Sequence, residues 1–456
     1  MAATVDVVKV LEQRRVSPPL GSVPPTVLAL TFFDVIWLPM PPVERVFFYD
    51  FLGTAEEFRD SHFPLLERSL SHALTLFYPL AGRLISLPKS DTGDHVIRYS
   101  DGDSVSLTLA ESSADFNRLV GIQVKEAKEF HPLVPPLVPE SSNDQEGKQE
   151  MPMIAFQVTV FPRSGVAIGV TVNHVAADGS ASTHFMKSWA SILKASGDAS
   201  MVKDPPVCDR TLLGDLEQRK RGLLEDLKNA RLGELTPKER PEDKLNRVIR
   251  STFMLTRIQI QKLRDKISPR GDIVGPKLSS FTVMCAYVWV STVKTREISE
   301  GKFVYFGCMA DCRRRLKTPV PPAYFGNCVV PIMAKASHAE LIQENGLVVA
   351  AEAIHQAIRG LDEGVLKDAD KWVSNWAELV KERVLSVAGS PRFHVYDTDF
   401  GWGQPYKVEI VSIDHNGAMS LAESRDEEGG IEIGMVGPED EMLRFITCFE
   451  GGLLEL

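Results

Sequence analysis

The stretch VTVNHVAADGSAST, residues 170–183, decides how this chain is read. Val166, Ile168, Val170 and Val172 lead into it at every second position, the period of a β-strand. The same alternation runs through Ile154, Phe156, Val158 and Val160, and the sequence PRSG (162–165) between the two sets predicts a strand pair. Beyond Gly179 the period changes. Phe185, Trp189, Ile192 and Leu193 fall at i, i+4, i+7 and i+8, which predicts a helix. His174 therefore stands at a strand-to-helix junction, with Asp178 four residues on and Gly179 directly after.

Three readings of His174 are open. It can be a core histidine followed by a helix-capping aspartate, since Asp178-Gly179-Ser180 is a good N-terminal sequence. It can be a metal ligand, but His174 and Asp178 share a face only on a continuous helix, and no further His/Cys cluster completes a shell. It can be a general base. An imidazole with a pKa near ~6.5 is largely neutral at pH 7 and can accept a hydroxyl proton. The small residues Ala176, Ala177, Gly179 and Ser180 leave room around it.

The chain bounds these readings. At 456 residues it exceeds the usual size of one core, and 44% hydrophobic with 25% charged residues is ordinary for a globular protein. A net charge of −10 with no Lys/Arg-rich block argues against nucleic acid as a partner. No apolar run is long enough to span a membrane, and the N-terminus does not read as a secretory signal. Six scattered cysteines and the absence of any N-x-S/T sequon fit a reducing compartment, so a cytoplasmic protein is expected.

Around the central stretch the pattern is mixed. RVFFYDF (45–51) reads as a strand. Leu66, Leu70, Ala73 and Phe77 mark one helical face, which Pro79 and Gly82 stop. HVIRYSDGDSVSLTLAES (95–112) reads as a hairpin about Asp101-Gly102, and 135–152 as a polar mobile loop. The composition shifts between about 195 and 245, which predicts an N-terminal domain over 1–195, a crossover linker over 196–245 and a C-terminal domain over 246–456. The last part restarts with a strand (251–256), helices near 257–267 and 279–294 and a strand at 303–311. It then reads as a hairpin about Asn416-Gly417, a strand GIEIGM and a final helix.

A second distinctive stretch is Asp399-Phe400-Gly401-Trp402-Gly403. Its first three residues match a kinase metal-binding loop, but the G-x-G-x-x-G, V-A-I-K and H-R-D elements are missing, as are a P-loop and a G-x-S-x-G elbow. With H-x-x-x-D-G at 174–179, and with LTFFDVIWLP (30–39), FYPLAGRL (77–84), SSFTVMCAYVWV (279–290) and ADCRRRLKTPVPPAYFGNC (310–328) in that order, the chain resembles the BAHD family of plant acyl-CoA-dependent acyltransferases over essentially its whole length. Tyr324 to Cys328 resemble the branch that acylates flavonoid and anthocyanin glycosides, often with malonyl groups.

The resemblance implies an α/β fold of two chloramphenicol-acetyltransferase-like domains with mixed sheets. A channel between them would bring acyl-CoA and a small phenolic glycoside to His174, the catalytic base. It implies no metal, no permanently bound cofactor and a monomer. It gives Asp178 a structural ion pair with Arg313, against the capping reading. Asp399, Gly401, Trp402 and Gly403 become structural support rather than reacting groups; two glycines around a tryptophan suit a tight turn. SVAGSPRF (386–393) matches a pocket-lining segment, so Ser390 and Arg392 are binding candidates. Ser280 and Thr282, at a helix start that can accept a CoA phosphate, are candidates too, with plain capping as the alternative. A malonyl donor calls for a cation, for which Arg313, Arg315 and Arg392 are available; a hydroxycinnamoyl donor calls for an aromatic slot, for which Phe32, Phe33 and Trp37 are candidates unless they are core residues. A catalytically silent small-molecule binder is the reading from another class.

Overall fold

The computed structural model describes residues 8–86, 95–141, 149–230, 247–267, 278–296, 298, 301–379, 382, 384–415 and 417–456. Two large mixed sheets and a small one carry an α/β fold. The strand pair predicted from alternation forms the middle of the first sheet. Ile154–Phe161 and Gly165–Val172 pair antiparallel, from Ile154 opposite Val172 to Phe161 opposite Gly165, and every residue of both is buried. Such strands are apolar on both faces because layers cover both. Across the sheet the order is Val8–Val16, Val105–Ser112, Ile154–Phe161, Gly165–Val172, Val43–Tyr49 and Lys407–Ile410.

Two helices cover this sheet. Leu66, Leu70 and Ala73 of Phe63–Leu76 are fully buried, and its end packs at Phe77. Gly179–Lys194 lies against it, with Trp189 Nε1 donating to Ser69 Oγ at 3.0 Å. The second sheet runs Val329–Ser337, Phe303–Asp311, Leu385–Gly389, Met419–Glu423, Ile431–Pro438, Val248–Leu255 and Lys125–Glu126. The helices Ser280–Thr295, Gly346–Arg359 and Glu439–Leu454 close its core.

Each large sheet takes an edge strand from the other end of the chain. Lys407–Ile410 completes the first beside Val43–Tyr49, and Lys125–Glu126 completes the second beside Val248–Leu255. The exchanged strands meet at buried charges. Arg250, opposite Lys125 in register, donates to Glu409 Oε2 at 2.9 Å, and Lys407 Nζ lies 3.0 Å from Glu432.

Two expected hairpins do not form. His95–Tyr99 joins the small sheet and Val105–Ser112 the first large one, so Asp101-Gly102 turns the chain between sheets. Lys407–Ile410 and Met419–Glu423 likewise lie in different sheets, separated by the 3₁₀ turn Val411–His415; Asn416 lies outside the described residues. In both places the flanking strands pair with other strands rather than with each other. The segment expected to be mobile over 135–152 is anchored at its near end, where Pro135 O accepts from Thr171 Oγ1 at 2.5 Å, and pairs at its far end through Gln149–Pro152; residues 142–148 lie outside the described set. In the crossover region, Leu223, Leu224 and Leu227 of Glu217–Asn229 are buried in the first core, and 231–246 are not described.

Candidate active site

His174 follows the strand Gly165–Val172 on a tight turn. Asn173 N donates to Met153 O at 2.8 Å, Asn173 Oδ1 accepts from Val175 N at 3.1 Å, and Ala176 N returns to Asn173 O at 3.0 Å. The half-buried imidazole stacks flat on Trp37, with ring centroids 3.5 Å apart and planes 5° from parallel. Among the described residues its Nδ1 is enclosed without a hydrogen-bond partner, which leaves Nε2 as the nitrogen that can meet a hydroxyl. Burial pushes its pKa below the ordinary imidazole value; the turn's own backbone, Asp178 and Asn327 offset part of that. The neutral, proton-accepting form is therefore favoured at neutral pH.

A polar cluster holds the turn from beneath. Asn327 Nδ2 donates to His174 O at 2.9 Å and Val175 O at 3.1 Å, and to Asp34 Oδ1 at 3.0 Å. Asp34 is fully buried; it also accepts from Thr31 N and Oγ1 at 2.8 and 2.7 Å and from Arg210 Nη1 at 3.0 Å. Burial opposes the Arg210 charge, but Asp34 and Tyr324 outweigh it and hold the guanidinium above its usual value. Gly326 adopts φ 154°, and a Cβ there would come within 2.3 Å of Arg210 Nη1, so only glycine fits beside this ion pair.

Asp178 satisfies both sequence readings at once. Its Oδ1 caps the helix Gly179–Lys194 by accepting from Ala181 N at 2.9 Å. Its Oδ2 accepts from Cys328 N at 3.1 Å and pairs with Arg313 Nη1 at 2.8 Å, both side chains being buried. Arg313 continues to the carbonyls of Tyr324 and Gly326, each at 3.2 Å. The Asp178 carboxylate has no bond to the His174 ring. Of the other arginines considered, Arg315 pairs with Asp362 on the surface, and Arg392 is exposed on the turn that Ser390 caps by accepting from Arg392 N.

Asp399 to Gly403 lie at the far end of the same elements. Asp399 Oδ1 accepts from Gly401 N at 2.8 Å and Gly403 N at 2.9 Å, and Oδ2 pairs with Lys194 Nζ at 2.6 Å. Gly401 and Gly403 have φ 96° and 89°. Trp402 meets Tyr49 edge-on at 5.6 Å. Since Tyr49 pairs with Val166, six residues back from Val172, this turn lies roughly 20 Å along the strand from Val172, the strand end that leads into His174.

Ser279 caps the helix Ser280–Thr295 by accepting from Thr282 N, Thr282 is buried, and the Ser280 hydroxyl accepts from Arg264. Phe32 and Phe33 are core residues, but Trp37 is the stacking partner of His174. Asp34 and Asn327 were legible only as letters inside two landmark strings. Their signal was a lone polar residue in an apolar run, which demands a buried partner. No group of three or more His, Cys, Asp or Glu side chains suited to a metal occurs among the described residues.

A turn-mounted, neutral imidazole is a group that can take a proton from a hydroxyl. The chain belongs to the Transferase family, the BAHD acyltransferases, whose family model matches residues 7–451. It is 34% identical to a malonyl-coenzyme A:anthocyanin 3-O-glucoside-6''-O-malonyltransferase of Dahlia pinnata, covering 97% of each chain. It is 36% identical to a coumaroyl-CoA:anthocyanidin 3-O-glucoside-6''-O-coumaroyltransferase of Arabidopsis thaliana, covering 99% of each. The fold matches that of vinorine synthase with a TM-score of 0.68 over 99% of this chain and 98% of that one, at 19% identity.

Proposed function

We propose that the protein transfers an acyl group from acyl-CoA to a hydroxyl of a phenolic glycoside of the flavonoid or anthocyanin kind, with His174 as the general base. The observation that carries this reading is the His174 ring itself: pressed flat on Trp37, bonded to no carboxylate, and with Nε2 left to meet a hydroxyl. Nε2 takes the proton of the acceptor hydroxyl as its oxygen attacks the thioester carbonyl. Collapse of the tetrahedral intermediate expels the CoA thiolate, because a thiol with pKa ~8.5 leaves far more readily than an alkoxide. The proton then passes from His174 to the thiolate. Base catalysis contributes about 10²–10⁴-fold, and alignment of two bound substrates contributes much of the rest. Asp178, Arg313 and the Asp399–Gly403 turn act as supports in this scheme.

The reading includes acyl-CoA as a co-substrate rather than a resident cofactor, no metal, and a cytoplasmic monomer; no described helix is long and apolar enough to cross a membrane. It divides the chain into 1–195, a crossover over 196–245 and 246–456, with the exchanged strands binding the two parts. The test is a matrix of malonyl-, acetyl- and coumaroyl-CoA against flavonoid glucosides, free aglycones and amines, with product mass recorded. Acylated glucosides are expected. Acyl transfer to amines alone, or no thiol release from any pair, would sink the proposal.

A further inference from the structure

Two small cavities share part of their lining: one of about 20 Å³ between the first sheet and the helix Gly179–Lys194, and one of about 10 Å³ between the edge of the first sheet and the second sheet. Arg45 lines both. The first also touches Val172, two residues before His174, and Ser182. The second touches Gly389 and Phe393, and the Phe393 ring sits so close over Gly179 that a Cβ there would come within 2.7 Å of it. Residues on either side of the H-x-x-x-D-G turn, Val172 and Ser182, thus line the first cavity, and Gly389 and Phe393 of the segment 386–393 line the second.

Arg45 is 6% exposed, yet among the described residues no carboxylate comes within 4 Å of it. Its one side-chain hydrogen bond is neutral, from Nη1 to Thr183 Oγ1 at 3.1 Å. Among the described residues every other guanidinium buried this deeply is paired: Arg83 with Glu140, Arg250 with Glu409, Arg313 with Asp178. The acids facing Arg45 are already engaged or disfavoured as anions. Glu432 is held by Lys407 and by the Tyr396 hydroxyl. Glu423 accepts from Tyr396 N, and burial pushes its carboxyl above the ordinary range. Burial also lowers the Arg45 guanidinium to about 10, which leaves it cationic at neutral pH. A buried charge without a counter-ion is costly, and the planar fork of an arginine matches a carboxylate in two-point contact.

We infer that Arg45 receives the free carboxylate of a dicarboxylic acyl donor, so that malonyl-CoA is selected over acyl-CoAs whose acyl group carries no charge. This rests on the acyltransferase reading above and sharpens it to a donor class. Arg45 is a specificity residue in this scheme and takes no part in bond-making. On the sheet it lies opposite Val170, so its backbone is about four residues, roughly 13 Å, from His174, a gap that the side chain and a three-carbon acyl group bridge together.

The experiment compares malonyl-CoA with acetyl-CoA, which lacks only the carboxylate, on one anthocyanidin glucoside, in the wild type, Arg45→Gln and Arg45→Lys, each checked by thermal melting. The wild type is expected to favour malonyl-CoA at least tenfold in kcat/KM. Arg45→Gln should lower the malonyl-to-acetyl ratio by about 10–100-fold, the scale of a lost charge-assisted hydrogen bond, and Arg45→Lys should restore part of it. A wild-type ratio near one, or an Arg45→Gln protein with an unchanged ratio, overturns the inference while leaving the acyltransferase intact. If Arg45→Gln does not fold, the wild-type ratio and Arg45→Lys decide. Failure of the broader reading looks different: no thiol release from any donor.

Discussion

The two signature turns of this chain are built in opposite ways. The Asp399–Gly403 turn closes on itself: one aspartate oxygen takes two backbone N–H groups within four residues. The His174 turn is held from outside. Asn327, Arg313 and the Cys328 amide reach it from positions about 135 to 153 residues further along the chain, with Asp34 holding Asn327 from behind. The helix Gly179–Lys194 joins the two, capped by Asp178 at one end and pinned through Lys194 to Asp399 at the other, about 24 Å apart at ~1.5 Å per residue. A turn that satisfies itself can serve as a fixed anchor. A turn held by long-range partners forms only once the whole fold has closed, which ties the placement of His174 to the native state.

Substitutions separate the two ends. His174→Ala should have the largest effect, cutting turnover by about 10²–10⁴-fold in a thiol-release assay with little change in melting temperature; retained turnover would remove the histidine from the chemistry. Next comes Asp178→Ala, which takes away the buried partner of Arg313 and leaves it only the exposed Asp311 at 3.2 Å, and should lower stability by about 2–4 kcal/mol in denaturant titration, less than the full cost of an unpaired buried charge. Asp178→Asn keeps a helix cap but not the ion pair, so a loss matching that of Asp178→Ala would assign the effect to charge, and a much smaller loss to capping. Smallest is Asp399→Ala. It should cost about 1–3 kcal/mol through two orphaned amides and the Lys194 pair, with kcat of the folded protein changed less than threefold. A large fall in kcat there, with stability intact, would erase the distinction between the two turns.

Local periodicity carried much of the fold. The strand pair at 154–172 followed from alternation and the helices from 63 and 179 from 3.6-residue spacing, because apolar residues recur at the period of each element. Pairing between distant strands was not legible. Asp101-Gly102 and Asn416-Gly417 look like hairpin turns, yet the strands beside them pair elsewhere: His95–Tyr99 with Thr26–Ala29 and Arg83–Ser86, and Lys407–Ile410 with Val43–Tyr49 at the other end of the chain. The site divides the same way. His174 and the Asp178–Arg313 pair stood out as motif and resemblance, whereas Asp34 and Asn327 acquire meaning only when their partners are in place, and Arg45 only when its want of a partner is seen.

The reciprocal edge strands have a practical corollary. A protease cut between residues 230 and 247 would sever the polypeptide without parting the particle, since Lys407–Ile410 and Lys125–Glu126 would still be gripped by the opposite piece. Two halves made separately would each begin life with a naked hydrogen-bonding border, a template for clumping rather than for reassembly.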